Sequence, residues 1–340
     1  MKIGIHHRKD SFSELWINYC KKKDIPFKIV NCYDSDIVNQ LEDCDGLMWH
    51  WPLWDSKAIL FARQLTYSLE ESGKMVFPNS QTCWHYDDKL GQKYLFEALK
   101  IETIPTWAFY EKDKALDWIR SSDFPIVFKL RGGASSANVK LIKTKTKAKK
   151  IINKAFGEGF ANTNKWNRLN DRILKFKRRK NPANFISILK GIVRLIVKKE
   201  HEKTRTRERG YVYFQKFIPG NDSDIRLVVV GSRCFGMRRY CRKDDFRASG
   251  SGISSYNMEL IDTEAVETAF NLSKKLNMQS VAFDFIVEDM RYKLVEISYA
   301  FVSTSFPGYW NEDLEWHEGN ISPQEVIVDD FIQSVSKLKK

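Results

Sequence analysis

Along the first eighty residues, apolar runs of strand length alternate with longer segments whose apolar positions recur at helical spacing. The runs at 2–6, 27–31, 46–50 and 75–78 read as strands, and the segments at 13–22, 36–42 and 57–72 as helices. Strands separated by helices build a small parallel α/β domain, which takes ligands beyond the carboxyl ends of its strands. From residue 81 the pattern changes. A helix at 90–99 leads to a strand at 106–110, a helix at 114–121 and a strongly apolar strand at 124–130. After a long basic stretch, a strand at 211–218 runs into the turn Pro219-Gly220-Asn221-Asp222, and 224–230 pairs with 234–241 about Gly231-Ser232. A helix at 263–276 precedes a last hairpin. The expected class is α/β with α+β subdomains: a domain over 1–80, a smaller subdomain split between 81–142 and 211–220, a basic helical insertion at 143–210, and a C-terminal subdomain over 221–340.

Chemistry enters with that last hairpin, VAFDFIVEDMRYKLVEIS at 281–298. Its two strands each present one carboxylate, Asp284 and Glu296, to a shared face, and two acids meeting there make a cation site. Mg²⁺ takes oxygen ligands and commonly bridges one or two carboxylates to nucleotide phosphates. A place for phosphates lies upstream. The apolar strand at 124–130 carries one lysine, Lys129, and is followed by the small residues Gly132, Gly133, Ala134, Ser135 and Ser136, where backbone N–H groups can approach phosphate oxygens. Taken alone, that loop reads more readily as an ordinary turn; its place straight after the lysine-bearing strand is what favours a phosphate site. Trp49-His50-Trp51-Pro52-Leu53-Trp54, at the end of a strand, reads either as an aromatic platform for a sugar or as packing beneath the next domain. Arg238 and Arg242 are equally open between function and a solvated basic face, and His6-His7 is not assigned a metal.

Composition narrows the classes. Six cysteines are dispersed with no CxxC pair, which argues against structural zinc and for a reduced compartment. The N-terminus enters a strand without a signal-like apolar region, predicting a cytoplasmic protein. The longest mainly apolar run, 186–197, is interrupted by Lys190 and Arg194 and is too short to span a bilayer. No Ser, Cys or His sits in a convincing nucleophilic triad. The formal charge of +13 is local: residues 140–210 hold 23 Lys or Arg against 5 Asp or Glu, so the rest of the chain is net acidic. Within that region, apolar pairs near 185, 188, 192 and 196 alternate with Lys190, Arg194, Lys198 and Lys199. This predicts an amphipathic helix from about Phe176 to Lys199, which either lies on an anionic surface or packs on its own domain. An anionic membrane contacted through 165–200, at the inner face, is the expected partner; nucleic acid is not.

With these pieces in order, residues 77–335 resemble the ATP-grasp superfamily, nearest its ribosomal-protein-modifying glutamate ligase and glutathione synthetase branch. The resemblance makes Lys89 and Lys129 the two phosphate lysines and 132–136 the lid. It makes Gln215-Lys216-Phe217-Ile218 the hinge against adenine, and Asp222 the ribose ligand. Asp224-Ile225-Arg226 and Asp245-Phe246-Arg247 match the branch closely; Arg226 and Arg239 become catalytic residues, with Arg239 facing the transferred phosphate or the substrate carboxylate. Asp284 and Glu296 match two metal ligands, and Ser298 stands where the family has Asn. The implied cofactors are ATP and Mg²⁺, two ions, with Mn²⁺ able to substitute. The implied reaction is carboxylate–amine ligation through an acyl phosphate. A small-molecule kinase and a non-catalytic nucleotide-binding regulator are the alternatives. The aromatic loop and basic insertion together suggest an acidic sugar or lipid-linked glycan as the carboxylate, with a second substrate supplying the amine.

Overall fold

The structure is a computed structural model that describes residues 1–53, 55–132, 138–161, 180–196, 207–243 and 245–338, with Leu169, Arg172, Ile173 and Phe176 besides; for 194–196 it describes the backbone alone. Three sheets organise it. The first is parallel, in the order β2-β1-β3-β4, from β1 (Ile3–His6), β2 (Phe27–Val30), β3 (Gly46–Met48) and β4 (Met75–Phe77). Its crossovers are α1 (Phe12–Lys22), α2 (Ile37–Gln40) and α3 (Ser56–Glu71). The strands are a residue or two shorter than the apolar runs suggest, because pairing stops where the chain turns into the connecting loops.

A short helix, α4 (Ser80–Cys83), leads to α5 (Lys89–Ala98), whose start is fixed by the Asp88 side chain accepting from the Gly91 N–H. The second sheet is antiparallel, in the order β5-β8-β6-β7, from β5 (Thr106–Phe109), β6 (Ile126–Lys129), β7 (Lys140–Ile142) and β8 (Val212–Lys216). Between them stand α6 (Lys112–Ser121), α7 (Lys145–Phe156) and α8 (Pro182–Ile196). Ala148, Ile152 and Ala155 of α7 join Ile119, Phe128 and Phe214 in one core. So α7 belongs to this subdomain rather than to the insertion expected at 143–210. The excursion proper is tied at its base by paired N–H···O bonds of 2.9 Å between Phe160 and Glu208.

The third sheet is built from β9 (Ser223–Val230), β10 (Arg233–Tyr240), β11 (Ser254–Ser255), β12 (Ser280–Glu288), β13 (Arg291–Ser298), β14 (Phe306–Trp310) and β15 (Trp316–Ile321). Its order is β13-β12-β9-β10-β14-β15, with β11 on β10 and all neighbours antiparallel. Helix α9 (Thr263–Leu276) covers one face and α10 (Pro323–Leu338), with α1, the other. Because successive strand residues point to opposite faces, Leu227 and Val229 enter the α9 core while Val228 and Val230 enter the core shared with the first domain. Burial on both sides is why β9 reads as a continuous apolar run at its end. Toward its start, the face that carries Val228 turns polar at Arg226 and Asp224, and there the subdomains part to form a cleft.

Candidate active site

The cleft encloses about 270 Å³ between the second and third sheets. At one end Val127, Ile104, Ile286 and Val295 form apolar walls against the hinge Gln215–Ile218. That hinge is pinned to the third sheet by Asn221, whose amide donates to the Val287 carbonyl at 2.9 Å and accepts from the Val287 N–H at 3.0 Å. Lys216 turns outward to pair with Glu288 at 2.6 Å. Asp222, expected at the ribose, accepts from the Ser223 hydroxyl at 2.8 Å, and its neighbours Asn221 and Ser223 line the cleft. Cys241, half-buried, also lines this wall.

At the other end charge concentrates. Asp284 on β12 lies in register between Arg226 on β9 and Glu296 on β13, so three ionic side chains stand side by side on adjacent strands. The shared face expected for Asp284 and Glu296 is therefore a direct cross-strand pairing. The hairpin is tighter than its polar run suggests: only Asp289 and Met290 turn, both at positive φ, as a two-residue turn of the I′ kind requires. Arg226 grips Asp284 with two bonds of 2.7 and 2.8 Å. Arg239 adds a third at 2.9 Å while holding Asp224 through two of 2.7 Å. Burial alone would raise the Asp284 carboxyl, but the two guanidinium groups outweigh it and hold it well below the usual range. Burial dominates at Asp224, which is raised. Arg239 does not line the cleft; it is buried behind the two aspartates, so it is placed to hold them rather than to face a substrate.

Two lysines complete this end. Lys89, the first residue of α5, has its backbone N–H on the Arg131 carbonyl and its ammonium on Glu296 at 2.9 Å. Burial works against its charge, yet Glu296 and Asp87 prevail and the net direction is upward. Helix α5 is locked beside Glu296 by Gln92, whose side chain both donates to and accepts from the Ile297 backbone, at 2.9 and 3.2 Å. Lys129 on β6 is buried without so close a carboxylate, and burial draws it down to about 8. Gly132 sits against Asp87, where a Cβ would meet a carboxylate oxygen at 2.9 Å. The lid residues Gly133, Ala134, Ser135 and Ser136 lie outside the described residues, as does Trp54. Ser298 lines the cleft, but its hydroxyl is engaged in a local turn, donating to the Ala300 carbonyl at 2.7 Å.

The aromatic loop resolves toward packing. Trp49 and Trp51 are both 1 % exposed, and Trp51 meets Tyr86 edge-on at 4.8 Å. Tyr299, just past β13, donates to the Trp51 carbonyl and lies 4.4 Å from Tyr86, so this cluster fastens the first domain to the third sheet. Each such ring removes about 200 Å² from water, on the order of 5 kcal/mol of burial. Arg247, gripped by Asp245 through two bonds of 2.8 Å, is the cleft-lining arginine on the far side. Sequence reasoning did not foresee Gln92, Asn221 or the Lys89–Glu296 pair. Their partners lie 66 to 207 residues away, and only the turn chemistry around Asn221 gave a local hint.

Among the described residues no three His, Cys, Asp or Glu side chains converge as a metal cage. Two carboxylates fit a Mg²⁺ that is held jointly with phosphate oxygens and water.

No protein-family model and no curated protein matches the chain. Solved structures do, over almost its full length. A D-alanine–D-alanine ligase from Bacillus anthracis aligns with all of this chain and 98 % of its own, at 15 % identity and a TM-score of 0.56. A RimK domain ATP-grasp protein from Sphaerobacter thermophilus aligns with 98 % of this chain and 100 % of its own, at 13 % identity and 0.57. The ATP-grasp ligase PsnB, bound to a precursor peptide and AMPPNP, covers 98 % of both chains at 10 % identity and 0.53. At these identities the similarity is one of fold: the chain has the ATP-grasp fold.

Proposed function

We propose that this protein is an ATP-dependent carboxylate–amine ligase. The observation that carries the reading is the cleft's polarity: an apolar slot against a pinned hinge at one end, and Lys89, Lys129, Arg226, Asp284 and Glu296 converging at the other. A flat base fits the slot, and a triphosphate reaches the charges. Lys89 and Lys129 would hold phosphate oxygens, with Asp284 and Glu296 taking Mg²⁺. When bound, the ion neutralises developing charge on the transferred group. Lys129, buried and poised near 8, gains most from an arriving anion, since the phosphates supply the counter-charge it lacks.

The carboxylate substrate would lie against Arg226 and Arg247, the cleft-lining guanidiniums. Its oxygen attacks the γ-phosphorus as ADP leaves, giving an acyl phosphate. The amine nitrogen then attacks the acyl carbon, phosphate departs, and the amine loses a proton. No nucleophilic side chain is required. With Trp49 and Trp51 buried, an acidic sugar or lipid-linked glycan rests on this charge alone rather than on an aromatic platform.

Hydroxylamine trapping tests the reading. Purified protein with ATP, Mg²⁺ and a panel of carboxylates, sugar acids among them, should release ADP and form a hydroxamate with the correct acid. ADP release with a stable phosphorylated product and no hydroxamate would make it a kinase. Nucleotide binding with no turnover across the panel would favour a regulator.

A further inference from the structure

Helix α8 is oriented against the usual rule. Asn181 caps it, accepting from the Asn184 N–H at 2.8 Å, with Pro182 in the first turn, so the helix begins there and not at Phe176. Its small and polar side faces the chain. The Ser187 carbonyl accepts from the Arg172 guanidinium at 2.7 Å, and at buried Gly191 a Cβ would lie 2.9 Å from the Leu169 side chain. A side chain there would have to push the end of Leu169 aside. The opposite side carries Phe185, Ile186, Leu189, Ile192 and Val193, each 47 to 59 % exposed. Their spacing of i, i+1, i+4, i+7 and i+8 places them on one arc of about 120°.

The charge around this arc has one sign. Between Asp171 and Glu200 the sequence holds ten Lys or Arg and no Asp or Glu. At 15 residues the helix is about 22 Å long, too short to cross a bilayer, and no described helix is long and apolar enough to do so. None of its residues lines the cleft.

We propose that α8 docks on an anionic lipid surface, lying in the plane of the interface with its aliphatic arc among the acyl chains and its lysines and arginines at headgroup level. A nucleic acid would satisfy the charges but offer an aliphatic arc nothing to bury against. A second copy of this region would bring like charges together.

The test is flotation of the full chain with phosphatidylcholine vesicles, with and without phosphatidylglycerol. Two variants accompany it: Leu189→Ser with Ile192→Ser, which removes the centre of the arc, and Lys190→Glu, Arg194→Glu, Lys198→Glu and Lys199→Glu together, which keeps the arc and reverses the charge of the sequence that carries it. Binding that requires phosphatidylglycerol, weakens with salt and falls about tenfold or more in each variant supports the proposal. Unchanged melting and nucleotide affinity would show that both variants are folded. Absence of binding at low salt overturns it. So does binding that survives loss of the arc and is matched by transfer RNA, which makes α8 a polyanion site. Self-association without lipid, abolished by the serine variant, would assign the arc to a second copy. Should either variant unfold, the wild-type response to phosphatidylglycerol still decides.

Discussion

The cleft and α8 invert the same solvent rule in opposite directions. In the cleft and just behind it Lys89, Lys129, Arg239 and Asp284 are charged and only 5 to 7 % exposed; on α8 five large apolar side chains stand about half exposed. Buried charge and exposed hydrocarbon are both costly, and both mark a place where something else completes the structure. The difference lies in where the missing partner is held. The cleft supplies stand-ins from its own chain, with Lys89 on Glu296 and two arginines on Asp284, so its charges other than Lys129 are paired within the protein itself. Around α8 the Phe176 ring meets Phe185 at 5.9 Å, yet all five residues of the arc stay about half exposed, and its lysines and arginines find no acid nearby in sequence. On the proposed readings, a site that exchanges partners in each turnover rests on internal substitutes, whereas a surface meant for a large flat partner has none.

The sharpest break of this comparison is Asp284→Asn. Sequence alone suggests that it spares the fold, but Asp284 neutralises Arg226 and shares Arg239, so the amide leaves buried guanidinium charge underpaired. Turnover should fall by more than about 100-fold and stability by about 3 kcal/mol. ADP release and urea denaturation measure the two. A fully stable variant would show that these pairs do not hold the free protein together. Glu296→Gln should cost activity comparably and stability less, because Glu296 is more exposed and bonds only Lys89.

Acid should act next. Burial draws His6 and His85 down to about 4 and His50 to about 3, and His50 accepts the Phe12 N–H at the start of α1, which requires its neutral ring. Their folded values lie below the unfolded one, near 6.5. The unfolded chain therefore binds more protons between these limits, so the stability that neutral rings contribute is complete above about pH 6.5 and is lost as pH falls toward 4. Melting temperature followed from pH 7 to 4 should fall steadily, and His85→Asn should flatten the curve.

Lys129→Met sharpens the exchange argument. Because burial already disfavours the ammonium, methionine should leave the free protein's melting temperature unchanged or higher while weakening ATP binding by about 10- to 100-fold. In the wild type, affinity should decline as pH rises through about 8, and calorimetry in buffers of different ionisation enthalpy should register proton uptake on binding there. The smallest effect is expected from Ser298→Asn. The serine serves its own turn with Ala300, so placing the family's residue there should change turnover by less than about tenfold.

What could be read from sequence was what local pattern determines. The helix expected at 263–276 is α9 to the residue, and the alternation at 281–298 put Asp284 and Glu296 on one face, as pairing across the strands requires. Lys129 was visible as one charge in an apolar strand. Less legible was anything decided by which element stands behind another. Arg239 alternates correctly to share Asp284's face, yet Asp224 beside it draws the side chain inward. The tryptophans at 49 and 51 stay open between a platform and packing until the structure sets Trp51 against Tyr86 and Tyr299, and Trp49 against Phe61. Helix α7 reads as basic insertion because most of its lysines are exposed, while three small or aliphatic positions carry it into the core. The lid at 133–136 lies outside the described residues.

The distribution of thiols has a practical side. Five cysteines are buried, and burial pushes those at 20 and 83 up to about 11 and 12; Cys241, half-buried on the cleft wall with its Sγ toward the Asn221 carbonyl, also sits near 11. An alkylating dye will meet five buried sulfurs and one, at 241, that is only half-buried, whose raised titration makes the reaction slow until the pH is well into the alkaline range. The molecule thus carries a single address for an optical reporter at the edge of its own cleft, so that ligand entry could be watched as a change in fluorescence or in labelling rate without first engineering the remaining cysteines away.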